Sequence, residues 1–268
     1  MEILIPILVL GSLGLLFGTG LAIASKSLKV KSDARLEAIH GLLPGSNCGA
    51  CGGAGCFGFA ESVLSGKLPL EACKVSNEQT KEHIAALLGI NFEKKVKTVA
   101  VLHCNGGSNR VKDRFIYEGL KDCILANLVL GGQKECIWGC LGFGTCVKGC
   151  PFGAITMSQD NLPVIHRDKC KACGKCVKIC PKNLFSLIPI TQDTYVACSS
   201  HDTGKDTKAV CPVGCIACGI CTRVKDSPFY LKENLSGVDY KKAVSKEAME
   251  EARVKCPTKC ILVRDQKS

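Results

Sequence analysis

Cysteine constrains this chain more than any other residue. Twenty-one of its 268 residues are cysteine, and most fall in a few tight groups behind one uncharged N-terminal stretch. Only 5% of the residues are aromatic, so no large aromatic core is available. Small domains with weak cores depend on cross-links or metals. The most regular group reads Cys170-x2-Cys173-x2-Cys176-x3-Cys180-Pro181. That spacing brings three thiolates to one iron–sulfur cube and sends the fourth to a neighbouring cube.

The N-terminus decides between disulfides and metal. Ile3 to Ser25 is a run of 23 residues without a charge, and a membrane-spanning helix needs about 20. Glu2 precedes it, while Lys26, Lys29 and Lys31 follow it. The positive-inside rule then puts the bulk of the chain on the cytoplasmic side of the cell membrane. A signal peptide would carry its positive charge before the apolar run, and a buried core helix would not be apolar all round over such a length. A retained single-pass anchor is expected. In a reducing cytoplasm disulfides are a poor reading of the thiols, and metal or cluster ligation is favoured. Structural zinc uses two separated Cys-x2-Cys pairs for each tetrahedral ion. Triplets followed by Cys-Pro match a cubane better.

The formal charge of +11 raises nucleic acid as a partner. Each oxidised cubane with four thiolates contributes a net charge of roughly −2, so about four clusters bring the loaded chain near +3. The remaining excess suits anionic lipid or an acidic carrier protein, and no nucleic-acid recognition motif is present.

Along the chain, Gly14-x3-Gly18 in the anchor would let another membrane helix approach closely. Lys26 to Gly41 reads as a basic connector. Next comes Cys48-Gly-Ala-Cys51-Gly-Gly-Ala-Gly-Cys56 with Cys73 beyond it, a C-x2-C-x4-C-x16-C spacing. Glycines allow a backbone to wrap closely around a bulky ligand. A phosphate loop would need a Gly-Lys-Ser/Thr ending, which is absent. Phe57 to Leu64 reads as a short helix. Asn77 to Leu88 reads as an amphipathic helix with Ile84, Leu87 and Leu88 on one side. Thr98 to His103 is a strand. Cys104 and Cys123 have no ligand-like spacing and read as structural thiols.

A second cysteine group precedes the regular one: Cys136, Cys140, Cys146 and Cys150-Pro151. Two such runs about thirty residues apart form a two-cluster ferredoxin repeat. One cube is assigned to Cys136, Cys140, Cys146 and Cys180. The other takes Cys150, Cys170, Cys173 and Cys176. The x3 and x5 gaps of the first run require a bulge, for which Gly139, Gly142 and Gly144 supply freedom. Cys215-x2-Cys218-x2-Cys221 repeats the triplet, but Lys225 stands where the crossing cysteine would be. The simplest fourth ligand there is Cys256. Cys198, Cys211 and Cys260 are left as ligands of a further metal, as substitutes for Cys256, or as structural thiols.

These segments together resemble the RnfB family, an iron–sulfur component of the Rnf complex, which is a membrane-bound ferredoxin:NAD⁺ oxidoreductase. The resemblance runs through the anchor, Asn47 to Cys56, Tyr117-Glu-Gly-Leu-Lys-Asp-Cys123 and Cys136 to Ile155. It implies an electron-transfer component of an ion-translocating oxidoreductase, with soluble ferredoxin as donor. The implied partners are the other membrane and flavoprotein components, and Na⁺ or H⁺ is moved elsewhere in the complex. No Gly-x-Gly-x-x-Gly turn marks a nucleotide site, the span holds no ionisable residue for an ion path, and no residue forms a catalytic constellation of its own. A membrane-tethered redox sensor and a structural zinc scaffold are the competing readings.

The expected architecture is α+β. It comprises an anchor (1–25), a membrane-proximal 4Fe-4S loop/helix domain (26–90), a connecting α/β segment (91–134), a bacterial-type two-cluster ferredoxin domain (135–190) and a degenerate third ferredoxin-like segment (191–268). About four [4Fe–4S] clusters are expected, with the Cys48–Cys73 cluster nearest the membrane.

Overall fold

The computed structural model describes residues 4–27, 33–92, 96–242 and 245–264. Ile3, Lys29 and Lys31 lie outside the described residues. Helix α1 (Leu4–Ser27) has 24 residues, about 36 Å at 1.5 Å per residue, against a hydrocarbon layer of about 30 Å. Its described side chains are almost all exposed. Ser12 Oγ donates to the Val9 carbonyl at 3.0 Å and Thr19 Oγ1 to that of Leu15 at 2.7 Å. Hydroxyls satisfied within the helix carry no unpaired polar group into lipid. The helix is long and apolar enough to cross a membrane. A Cβ added at Gly14 or Gly18 would meet no other atom of this chain, so that stripe is open.

The first folded unit packs three helices: α2 (Ala34–Leu42), α3 (Gly55–Leu64) and α4 (Glu78–Leu88). Asp33 caps α2 by accepting from Arg35 N–H, and Asn77 caps α4 by accepting from Thr80 N–H at 2.7 Å. Gly89, left-handed at φ 65°, ends α4. Both caps satisfy amides that a helix start leaves without a partner. Ile39, Phe59, Ala60, Val63, Ile84 and Ala85 make the core, which also holds Cys56 and Cys73. The expected face of α4 is rotated by one position. Ala85 is buried beside Ile84, whereas Leu87 is 48% exposed. The helix docks through its i, i+1 and i+4 positions, and Leu87 falls outside that contact.

From residue 96 onward the chain runs through one strand order twice. The first pass contains β1 (Thr98–Leu102), α5 (Cys123–Leu128), α6 (Thr145–Lys148), β2 (Ile155–Met157), β3 (Pro163–Ile165), α7 (Lys175–Ile179) and β4 (Phe185–Pro189). The second contains β5 (Thr194–Val196), α8 (Gly204–Val210), β6 (Phe229–Lys232), β7 (Leu235–Val238), α9 (Lys246–Lys255) and β8 (Ile261–Val263). In each pass the first and last strands pair antiparallel, β1 with β4 and β5 with β8. In each pass the middle two form a hairpin, β2 with β3 and β6 with β7. The segment expected as a connector therefore supplies the outer strand of the first pass. Its Val99, Val101 and Leu102 are buried in the pair with β4.

The C-terminal segment copies the complete strand order while lacking a second cysteine triplet. Where the first pass places Cys170–Cys176 after its hairpin, the second places α9. Ser245 caps that helix, and Ala248, Met249 and Ala252 on one face fill the core. Apolar side chains at i, i+1 and i+4 thus occupy the space that a second cluster loop takes in the first pass.

Phe59, 1% exposed, anchors the first unit. Phe59→Ala should destabilise that unit by about 3–5 kcal/mol, lowering its urea midpoint. A loss below about 1 kcal/mol would show that the three-helix core does not hold it.

Candidate metal centres

Cys170-Lys-Ala-Cys-Gly-Lys-Cys176 curls because Ala172 (φ 51°) and Gly174 (φ 75°) are left-handed, which turns successive thiols to one side. Those three thiols and Cys150 line one cavity of about 350 Å³, walled by Ala100, Ile155, Ile165 and Leu187. Ala154 N–H donates to Cys150 Sγ at 3.4 Å. Amides of Lys175 and Val177, at the start of α7, donate to Cys173 and Cys176. The ligand set expected for this site is brought together intact.

The neighbouring cavity, about 390 Å³, is lined by Cys123, Cys140, Cys146 and Cys180. It differs from expectation in one member: Cys123 is present and Cys136 is not. The reason lies in a helix-cap link. Cys123 N–H donates to Thr145 Oγ1 at 2.7 Å, and Thr145 Oγ1 donates to Asp122 Oδ2 at 2.9 Å. This ties the first residue of α5 to the first residue of α6, next to Cys146. Gly142 (φ 81°) and Gly144 (φ 70°) supply the expected bulge. Gly139 does not take a left-handed conformation; it packs on Cys136, where an added Cβ would lie 3.5 Å from the Cys136 sulfur.

In the C-terminal unit, Cys215-Ile-Ala-Cys-Gly-Ile-Cys221 repeats the curl, with Ala217 at φ 55° and Gly219 at φ 68°. Cys215, Cys218, Cys221, Cys256 and Cys260 line a cavity of about 350 Å³. The first pass shows what the last two of these thiols correspond to. Lys259, three residues after Cys256, is left-handed at φ 54°, as Asn183 and Gly153 are three residues after Cys180 and Cys150. Ala197 N–H donates to the Cys260 carbonyl at 2.8 Å, as His103 N–H donates to the Leu184 carbonyl at 2.7 Å. Cys256 thus occupies the place of Cys180, and Cys260 that of the core residue Leu184. The Cys260 sulfur lies 3.6 Å from that of Cys256.

Cys56 begins α3, and its amide donates to Asn47 Oδ1 at 2.7 Å. Cys51, Cys56 and Cys73 share the core of the first unit. Gly53 is obligatory: a Cβ there would fall 2.8 Å from the backbone nitrogen of Phe59. Cys48 lies near enough to Cys173 for its charge to act on that thiol. A further cavity of about 360 Å³ carries Cys104, Cys136, Cys198 and Cys211. Cys104 and Cys123, which spacing alone marks as structural thiols, therefore both face cavities. A signal for Cys104 does exist: it stands two residues past β1, as Cys198 stands two past β5.

The donor set tests which metal fits. Burial pushes the thiols of Cys104, Cys146 and Cys176 up to about 12 and raises those of Cys136, Cys140, Cys173, Cys180, Cys198, Cys211 and Cys221. Such sites oppose bare thiolates, so deprotonated thiols there need a cation among them. In the five-thiol site the Cys260 thiol donates to Cys215 and Cys256, bringing them down to about 6 and about 5, while Cys260 itself is driven up. Among the described residues, no group of three or more Cys, His, Asp or Glu side chains is arranged to hold a single metal ion. Thiols ringing each cavity, with triplets followed by Cys-Pro, match a cubane better than separated Cys-x2-Cys pairs.

Comparison with known proteins agrees. Residues 43–75 match a family model described as "Putative Fe-S cluster", and residues 135–185 match a 4Fe-4S dicluster domain. The chain is 39% identical to the B subunit of the Na⁺-translocating ferredoxin:NAD⁺ oxidoreductase complex of Acetobacterium woodii, over 97% of this chain and 77% of the relative. It is 37% identical to the B subunit of the ion-translocating oxidoreductase complex of Methanosarcina acetivorans, over 96% of this chain and 97% of the relative. It is also 37% identical to the B subunit of the proton-translocating ferredoxin:NAD⁺ oxidoreductase complex of Clostridium ljungdahlii, over 80% and 75%. With thiol-lined sites in place and identity sustained over nearly its whole length, this chain belongs to the RnfB family, the B subunits of the ion-translocating (Rnf) oxidoreductase complexes.

Proposed function

We propose that this chain is the electron-carrying iron–sulfur component of a membrane-bound complex that moves electrons from reduced ferredoxin toward NAD⁺ and couples that flow to ion translocation. One observation supports the reading: thiols of successive sites lie close to one another. The amide of Cys215 donates to Cys198. The amide of Cys140 donates to Cys104 at 3.4 Å. Cys146 feels the charge of Cys176, and Cys173 that of Cys48. The row runs from the C-terminal site to the unit that follows the membrane helix.

The residues that would hold [4Fe–4S] clusters along it are Cys48, Cys51, Cys56 and Cys73; Cys150, Cys170, Cys173 and Cys176; Cys123, Cys140, Cys146 and Cys180; and Cys215, Cys218, Cys221 and Cys256. Bound clusters supply one-electron exchange at potentials that depend on sulfur hydrogen bonding and solvent access. The chain's own contribution is to set the thiols, aim amides at the sulfurs and keep water out with apolar walls.

The receiving end of the row is the C-terminal site. Cys218 is the one exposed cysteine among the described residues, and Arg223 lies against its loop, donating to the Cys218 carbonyl at 2.8 Å. An acidic ferredoxin would be steered there by charge. The delivering end is the Cys48–Cys73 unit, next in the chain to α1, and the lysines after α1 put both on the cytoplasmic side. Ile7 to Ser25 carries no ionisable residue, so the ion path and the flavin chemistry belong to other components of the complex.

Three measurements test this reading. Arg223→Glu should slow cluster reduction by ferredoxin about tenfold or more at low salt, with the difference vanishing at high salt; an equal slowing at all ionic strengths would contradict steering at this site. Cys51→Ala in the assembled complex should abolish ferredoxin-driven NADH formation, and a retained full rate would remove that unit from the path. Cys123→Ala should alter the iron content and the electron paramagnetic resonance of the chain; no change in either would return Cys136 to that site.

A further inference from the structure

The cavity lined by Cys104, Cys136, Cys198 and Cys211 lies on the seam between the two strand-order repeats, and each repeat gives it two thiols. The pairs match position by position. Cys104 stands two residues past β1 and Cys198 two past β5. Cys136 opens Cys136-Ile-Trp-Gly-Cys140, and Cys211 opens Cys211-Pro-Val-Gly-Cys215. The hydrogen bonds match as well. Cys104 accepts from the amides of Gly106 and Cys140; Cys198 accepts from those of Ser200 and Cys215. The amides of Trp138 and Gly139 act on the Cys136 thiol and those of Val213 and Gly214 on the Cys211 thiol, while the Gly139 and Gly214 amides donate to the Cys136 and Cys211 carbonyls at 3.1 and 3.3 Å. In each pair the donors sit at the same offsets, so the four thiols form a site with approximate two-fold symmetry.

The seam is fixed on both sides of the cavity. His103 Nδ1 donates to the Val196 carbonyl at 2.7 Å while its Nε2 accepts from Ser186 Oγ at 2.6 Å. Burial holds the ring neutral, which suits that donor–acceptor pair. Across the cavity, Trp138 Nε1 donates to Asp202 Oδ1 at 3.0 Å. The lining is also fitted closely to the sulfurs: a Cβ on Gly106 would come 3.2 Å from the Cys211 sulfur and 4.0 Å from that of Cys104. Like the Cys150–Cys176 site, whose spacing is that of a cubane, this cavity is lined by four thiols.

We propose that Cys104, Cys136, Cys198 and Cys211 hold a fifth [4Fe–4S] cluster, shared by the two repeats. This rests on the reading that the four other sites hold such clusters. The shared site bridges the gap between the Cys123–Cys180 site and the C-terminal site. Cys140 of the former and Cys215 of the latter each donate a backbone amide to one of its thiols. Five sites then use every one of the 21 cysteines except Cys260, whose place is that of a core residue.

The test is iron and acid-labile sulfide per full-length chain, purified without oxygen in detergent and fully reconstituted. About 20 of each is expected for the parent chain, and about 16 for Cys104→Ser/Cys198→Ser. A parent content of about 16, or a double variant that retains the parent content, would overturn the fifth site while leaving the four-site reading intact. The parent count decides the question even where the double variant fails to fold. Stoichiometric zinc without sulfide would instead overturn the cluster reading as a whole.

Discussion

A buried sulfur must either keep its proton or find a cation, and this chain is built around that constraint. Raising Cys104 from 9.0 to about 12 corresponds to about 4 kcal/mol against its thiolate. With many thiols in such surroundings, the folded chain and its metal content cannot be separate matters. The backbone eases part of the cost by aiming amides at the sulfurs, as Ala154 does for Cys150 and Cys140 for Cys104. Left-handed residues make this possible. Ala172, Ala217, Asn183 and Lys259 accept an unfavourable φ so that their loops close around a cavity.

The same constraint explains why so little regular structure suffices. Outside α1, strands of three to five residues and helices of four to eleven cannot form a self-sufficient core in units of this size. Thiol-lined cavities stand in the ferredoxin-like units where a larger core would be. Where the C-terminal unit lacks a second triplet, α9 fills the space with Ala248, Met249 and Ala252. The fold thus exchanges a cysteine loop for an apolar helix at one position and keeps the rest of the strand order.

Much of this is legible in the sequence. The apolar run, helix α4, strand β1 and the grouping of Cys150 with Cys170, Cys173 and Cys176 follow from local pattern. Partition of the remaining cysteines does not, because it depends on contacts distant along the chain. Cys123 reaches Cys146 through Asp122 and Thr145, 23 residues apart, and spacing alone cannot report such a link. Adjacency along the chain places Cys136 with Cys140, whereas the fold turns it to the seam beside Cys211. The repeated Cys-x2-Gly-Cys segments at 136–140 and 211–215 stand in the sequence, but their meaning emerges only when β5 and β8 are seen to copy β1 and β4.

If clusters occupy the proposed sites, neighbouring centres become paramagnetic together on reduction. The most direct measurement is electron paramagnetic resonance of the anaerobically purified full-length chain during stepwise reduction. The row predicts reduced [4Fe–4S] signals that broaden and split as neighbouring sites fill, from magnetic interaction between them. Signals that simply add, each unchanged by reduction of the others, would contradict it.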